Sequence, residues 1–102
     1  MKHTIDVLDF KPHHKNTLRG FADIRIRELR LVIRDVALHE KGEARWAQLP
    51  AKPWFKNGVH LTDHAGKPQY SPILEFENRE TRDAFSAAVW RAVIEFTPEL
   101  VS

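Results

Sequence analysis

The most regular alternation of small or apolar residues with polar ones lies in LRGFADIRIR, residues 18–27. A period of two is typical of a β-strand with one buried and one solvated face, whereas a helix would scatter the arginines around its circumference. The residues that alternate with the apolar set are Arg19, Phe21, Asp23, Arg25 and Arg27. We therefore expect these five side chains to share the solvated face of one strand.

Four other segments have the composition of strands. RLVIRDVALHE is rich in β-branched residues and predicts a hairpin with the first strand. Asp35 falls in register with its apolar positions, which indicates either a bulge or a polar group that meets a partner. ARWAQLP predicts a short strand that ends at Pro50, because proline has no N–H group for the ladder. TIDVLDF, before the set, and SPILEFE, after it, predict the remaining strands.

Residues 51–72 form the longest interval without a regular pattern, and prolines and glycines interrupt it throughout. We expect a long loop there without secondary structure of its own. Loops of this length are uncommon in compact domains, and those that occur tend to be functional or mobile.

The C-terminal segment ENRETRDAFSAAVWRAVIEFTPE predicts one long helix. Asn78 is placed to cap its first turn, and Pro98 lies just beyond its end. Trp90 and Ile94 fall beside the apolar stripe, so part of the helix is available to a second subunit. The stripe itself, which would cover a sheet, is Phe85, Val89, Ala92, Val93 and Phe96. The predicted fold is therefore a single α+β domain over residues 1–102, with a curved antiparallel sheet of four to five strands followed by one long C-terminal helix.

The composition argues against several kinds of chemistry. There is no cysteine, which excludes disulfides, thiolate nucleophiles and cysteine-rich zinc sites. No serine lies in a nucleophile-elbow pattern and there is no glycine-rich phosphate loop, so we expect no enzyme, no cofactor and no small-molecule substrate. His60 and His64 flank Asp63, but four-residue spacing brings ligands together only in a helix, and we expect no metal site in a predicted loop.

The charge is informative mainly through its distribution. A net charge of +2 is too small to imply a polyanionic partner by itself. Positive charge is concentrated in residues 1–70, however, and residues 71–102 are net negative. No run approaches the roughly 20 apolar residues of a membrane span, and the first residues lack the apolar core of a signal peptide. We therefore expect a cytoplasmic protein that does not associate with membranes.

Cations and aromatic rings occur together in the basic part of the chain. Single-stranded nucleic acid needs cations that follow the phosphates and flat rings on which bases stack, at about 1–3 kcal/mol per base. The alternative is that the arginines only keep a strand face solvated while the loop aromatics fold back over the core. The candidate nucleic-acid-binding residues are Arg19, Phe21, Arg25, Arg27, Arg34, Lys52, Trp54, Phe55 and Lys56.

The order of features also resembles a known family. The stretch LRGFADIRIRELRLVIRDVALHEKGEARWAQLPAK leads through the loop to an aromatic residue and an apolar strand, here Tyr70, Pro72 and Ile73. A helix that opens at NRETRDAF then closes the domain. In this order the chain resembles the SpoVG family, small bacterial proteins first connected with sporulation and septation. The family has a Met-Pro-Ser-Lys motif where this chain has Leu49, Pro50, Ala51 and Lys52.

The resemblance implies a curved antiparallel sheet followed by a helix, a homodimer joined through strands or helices, and non-enzymatic binding of DNA and RNA. In the family, basic residues just after the proline-lysine motif are implicated in nucleic-acid contact, and Lys52 matches the first of them. Pro53 stands where the next cation would be, and Lys56 is the nearest substitute. A similar order of strands and helix occurs in single-strand-binding transcriptional coactivators, which also work as dimers.

The sequence therefore favours a dimeric, non-catalytic regulator that holds single-stranded or locally opened DNA or RNA on a basic, aromatic sheet face flanked by the 51–72 loop. The alternative is a protein-interaction or structural module that uses the helix and the loop aromatics as an oligomer or partner interface. A steep dependence of binding on salt concentration would favour the nucleic-acid hypothesis.

Overall fold

The computed structural model describes residues 4–98 and confirms the α+β class. Four long strands form one antiparallel sheet in the order β1-β2-β3-β4, and a long helix follows them in the chain. The bounds of these elements are β1 (Ile5–Lys15), β2 (Leu18–Ile26), β3 (Leu31–Lys41), β4 (Ala44–Gln48) and α1 (Arg79–Phe96). Between β4 and α1 lie four short strands, β5 (Ala51–Pro53), β6 (Phe55–Lys56), β7 (Val59–His60) and β8 (Tyr70–Pro72).

Each strand of the main sheet pairs with the next one in the chain. The turn between β1 and β2 contains Asn16 at a φ of 55°, and the turn between β3 and β4 contains Gly42 at 61°. Glycine and asparagine are the residues that adopt such positive φ values with least strain. β1 extends beyond the predicted strand to Lys15, and Pro12 is tolerated within it because β1 is an edge strand.

The core lies between one face of the sheet and α1. The largest fully buried side chains are Ile24, Val36 and Leu38 from the sheet with Val89 and Val93 from the helix. This face alternates with a solvated one along β2 and β3, as the sequence pattern predicts.

The helix begins where the sequence predicts, because the Asn78 side-chain oxygen accepts a hydrogen bond from the Thr81 N–H group at 2.8 Å. Its buried face differs from the prediction. Trp90 is buried, and its ring N–H donates to the Trp46 carbonyl at 2.9 Å, whereas Phe96 is 51% exposed. The apolar face is thus rotated toward β4. Within residues 4–98 no helix is long and apolar enough to cross a membrane.

The predicted strand SPILEFE is wrong for most of its length. Only Ser71 and Pro72 of this segment pair, as part of β8, and their partner strand is β5. Ile73 and Leu74 are 62% and 44% exposed. The edge of β4 that a fifth strand would join is already occupied by the helix. Both the N–H and the carbonyl of Ala47 are hydrogen-bonded to the Ser86 hydroxyl, at 3.0 and 3.3 Å. A further strand therefore has no free edge at that position.

Residues 51–72 are not the structureless loop that the sequence predicts. They form a folded unit, here called the β-arm, in which β5 pairs with β8, β6 pairs with β7, and an isolated bridge makes a third ladder. The three ladders meet in a cycle of backbone hydrogen bonds: Trp54 donates to Gln69 (2.9 Å), Gln69 donates to Leu61 (2.9 Å) and Leu61 donates to Trp54 (2.8 Å). These backbone hydrogen bonds tie the three ladders of the β-arm together.

Candidate functional site

The face of the main sheet that points away from α1 is called here the open face. Because alternate β2 residues from Gly20 to Ile26 are buried, Phe21, Asp23 and Arg25 lie on the open face, as the alternation predicts. The same face carries Ala37, which pairs with Phe21 across to β3. The open face thus combines an aromatic ring with charges of both signs.

Arg25 and Arg27 share one acid at the end of the open face where β1 begins. The Arg25 and Arg27 guanidinium groups lie 3.2 and 2.8 Å from the same Asp6 carboxylate oxygen. The hydrogen bond from Arg27, aided by Arg25, lowers the pKa of Asp6 below its usual value, and the same pairing raises the pKa of Arg27. The three side chains together keep one net positive charge.

Arg34 is paired through a bulge. The Asp23 carboxylate accepts from the Arg34 guanidinium and from the Asp35 N–H group, both at 3.1 Å. The strand register shifts at this point, and Asp35 has a φ of 58°. Asp35 therefore lies in a β-bulge, which is one of the two interpretations that the sequence left open.

Arg19 lies apart from the other predicted arginines. The register of β2 and β3 shifts between Leu18 and Gly20, and the Arg19 guanidinium lies 3.6 Å from the Glu40 carboxylate. Glu40 also accepts from Arg45 at 2.8 Å, and that bond is the main reason why the pKa of Glu40 is lowered. All four arginines of the predicted set therefore have an acidic partner, which weakens the positive field on the open face. Arg27 was expected on the strand face, but it lies in a 3₁₀ turn that follows β2.

The β-arm brings the other predicted residues together. Trp54 and Phe55 are 51% and 55% exposed, so these rings do not fold back over the core. Lys52 and Lys56 are exposed on the same short stretch of chain, and within the part of the chain that the structure describes no acid pairs with either. Exposed rings beside unpaired cations are the combination that the sequence hypothesis requires.

Two further rings extend the aromatic surface of the β-arm. Phe55 stacks on His60 with ring centroids 5.0 Å apart, and His60 meets the edge of Tyr70 at 5.5 Å. The His60 ring is held by a hydrogen bond of 2.9 Å between its Nε2 and the Gln69 carbonyl oxygen. In the sequence, Tyr70 stands out only as a landmark of the family resemblance. Tyr70 and Phe55 both contact His60 because of the ladders of the β-arm, which the expected structureless loop did not include.

The β-arm is also positively charged. It contains three lysines, no arginine and a single acid, Asp63. The Asp63 carboxylate accepts hydrogen bonds from the N–H groups of Ala65 and Lys67, both at 2.9 Å, and so stabilises the turn rather than neutralising a lysine. Among residues 4–98 no group of histidines and acids is placed to hold a metal ion.

A second aromatic pair lies on the open face. His39 stacks on Trp46 across β3 and β4, with ring centroids 5.3 Å apart and ring planes within 6°. Burial lowers the pKa of His39, although a hydrogen bond with the Gln48 side chain acts in the opposite direction. Neither residue belongs to the site predicted from the sequence. Their pairing could have been predicted from the turn at Gly42, because a two-residue turn there sets the register that places His39 opposite Trp46.

Comparison with protein-family models, with curated proteins and with solved structures finds no match for this chain. The resemblance to the SpoVG family therefore stays a prediction.

Proposed function

We propose that this protein is a non-catalytic binder of single-stranded DNA or RNA, and that the β-arm is the main contact surface. The observation that carries the proposal is the exposure of Trp54 and Phe55 beside Lys52 and Lys56, in a unit whose one acid is engaged in a turn. The function is also the one that the resemblance to the SpoVG family implies, together with a cytoplasmic homodimer and a regulatory role.

The physical argument rests on two requirements. Phosphates attract cations that no neighbouring acid neutralises, and the β-arm has three lysines against one acid. Unpaired bases stack on exposed rings, and Trp54, Phe55 and Tyr70 are each about half exposed on the β-arm. The arginines of the open face contribute less, because each would have to exchange an acidic partner for a phosphate.

The test is the binding of a fluorescently labelled oligothymidylate, followed by anisotropy at several salt concentrations. Trp54→Ala removes one stacking surface and is expected to weaken binding by roughly 5- to 150-fold, the equivalent of about 1–3 kcal/mol. The melting temperature should hardly change, because Trp54 is half exposed. Val59→Ala is the matched control, since Val59 is an exposed apolar residue of the same arm that offers no flat ring.

Equal binding by wild-type protein and Trp54→Ala would contradict the proposed contact surface. Binding that does not respond to salt would contradict a phosphate ligand altogether.

A second candidate function is supported by the segment that follows the β-arm. Ile73 and Leu74 are exposed, and Leu74 also lines a cleft of about 700 Å³ between β4 and the start of α1. Exposed apolar residues beside a cleft are typical of protein interfaces. A protein-interaction or oligomer module would then lose mass in sedimentation when Leu74 is changed to Ser, whereas oligonucleotide affinity per subunit would stay the same.

A further inference from the structure

A groove crosses the open face beside the β-arm. Phe21, Ala37 and Gln48 lie opposite one another on β2, β3 and β4, at neighbouring strand spacings of about 4.8 Å. The small side chain of Ala37 stands in the middle of this row and leaves a depression between its larger neighbours. Tyr70 of the β-arm and Asp35 complete a groove of about 330 Å³. That volume is at the lower end of the range for small-molecule pockets and suits a single flat ring.

The acid in the groove has no cationic partner. Among residues 4–98 no basic side chain pairs with Asp35, whereas the neighbouring Asp23 is engaged by Arg34. The bulge fixes Asp35 in a left-handed conformation, with its N–H group bonded to Asp23. Bulges of this kind are common beside functional sites, where they redirect a side chain. The Asp35 carboxylate lines the groove and can only accept hydrogen bonds while it is ionised.

Gln48 presents the opposite hydrogen-bonding group. Its side chain also lines the groove, and its amide NH₂ group can donate hydrogen bonds, which an ionised carboxylate cannot do. Asp35 lies two residues before Ala37, which is the cross-strand partner of Gln48, and both side chains line the groove. Diagonal positions of a regular strand pair are about 7–8 Å apart, a span that a base edge can bridge.

From this juxtaposition we infer that the groove is a subsite for one guanine base of a bound strand. Guanine is the base whose Watson–Crick edge offers two adjacent donors, N1–H and the N2 amino group, followed by the O6 acceptor. The donors match the Asp35 carboxylate, and O6 matches the Gln48 amide, while Phe21 and Tyr70 contact the ring faces. Cytosine and uracil each have one donor group on this edge with an acceptor beside it, so an acceptor would meet the second carboxylate oxygen. The inference rests on the proposed function and adds a base preference to it.

The test compares short oligothymidylates that carry a single central guanine, adenine or inosine. Inosine keeps N1–H and O6 but lacks the N2 amino group. Wild-type protein is expected to bind the guanine strand about tenfold more tightly than the adenine strand, with inosine between them. Asp35→Asn should abolish this preference while leaving affinity for the thymidylate background at least as high. Asparagine tolerates the left-handed backbone at this position, so the variant should fold normally.

Glu95→Gln is the matched control, because it removes one negative charge from the exposed side of α1, far from the groove. It should retain the guanine preference, and a loss there would overturn the assignment to Asp35. Salt-dependent binding of all three strands with equal affinity would overturn the guanine subsite and leave the proposed function standing. Absence of binding to every strand would overturn both.

Discussion

The location of the phosphate track can be tested by removing two charges at a time from either surface. Lys52→Gln with Lys56→Gln removes both flanking cations of the β-arm aromatics, and Arg25→Gln with Arg27→Gln removes the paired arginines of the open face. Each double variant lowers the net charge of the protein from +2 to zero. A difference in oligonucleotide binding between the two double variants therefore reports where the removed charges lie, because the number of removed charges is the same.

The expected magnitudes follow from the pairing. Each phosphate contact contributes a slope of about 0.7 to the dependence of log K on log salt concentration for single strands, so loss of two unpaired lysines should reduce the slope by about 1.4. The Asp6, Arg25 and Arg27 group has one net positive charge, because the two arginines share one carboxylate. That group can neutralise at most one phosphate, so losing its two arginines should reduce the slope by at most about 0.7.

Fluorescence anisotropy of a labelled oligothymidylate, titrated at several potassium chloride concentrations, gives both slopes. Thermal melting of each variant checks that the fold is retained. If the arginine variant loses as much slope as the lysine variant, or more, the strand runs along the open face and the acidic partners do not hinder it. The assignment of the main contact to the β-arm would then be wrong.

Two further predictions concern the sheet itself. Gly20→Ala should destabilise the fold by about 1–3 kcal/mol, a loss of roughly 4–24 °C in melting temperature, because an added Cβ would lie 2.6 Å from the Lys11 carbonyl oxygen and against the Phe10 ring. Asp6→Asn should lower the melting temperature at pH 7, and the difference from wild type should shrink as the pH falls. The pKa of Asp6 is lowered in the folded protein, so its stabilisation is present above the unfolded value of about 3.9 and is lost as pH falls through the folded value. Scanning calorimetry checks both, and an unchanged Gly20→Ala melt or a pH-independent Asp6→Asn difference would contradict them.

The alternation in β2 predicts its structure well because one face of that strand is buried, and a one-residue slip would move every apolar side chain into solvent. The β-arm lacks such a constraint, since most of its residues are exposed. Its strongest local signal is Asn57-Gly58, with φ values of 53° and 78°, which is typical of a two-residue hairpin turn. Treating its prolines and glycines only as breakers overlooked that hairpin, and with it the contacts that Phe55 and Tyr70 both make with His60.

The candidate site is harder to derive from the sequence. The alternation pattern assigns each arginine to a face of its strand, but it does not show which acid pairs with that arginine. Arg25 is neutralised because the register of β1 places Asp6 directly opposite it, and a pattern within β2 alone contains no information about that partner. The Asp23 carboxylate likewise accepts hydrogen bonds both from the Arg34 guanidinium and from the Asp35 N–H group in the bulge. The acids of the open face thus hold neighbouring strands in register, and their arginines are engaged in the same task. Lys52 and Lys56 of the β-arm have no such role in the sheet and no acidic partner among residues 4–98, which is why they, rather than these arginines, are expected to meet the phosphates.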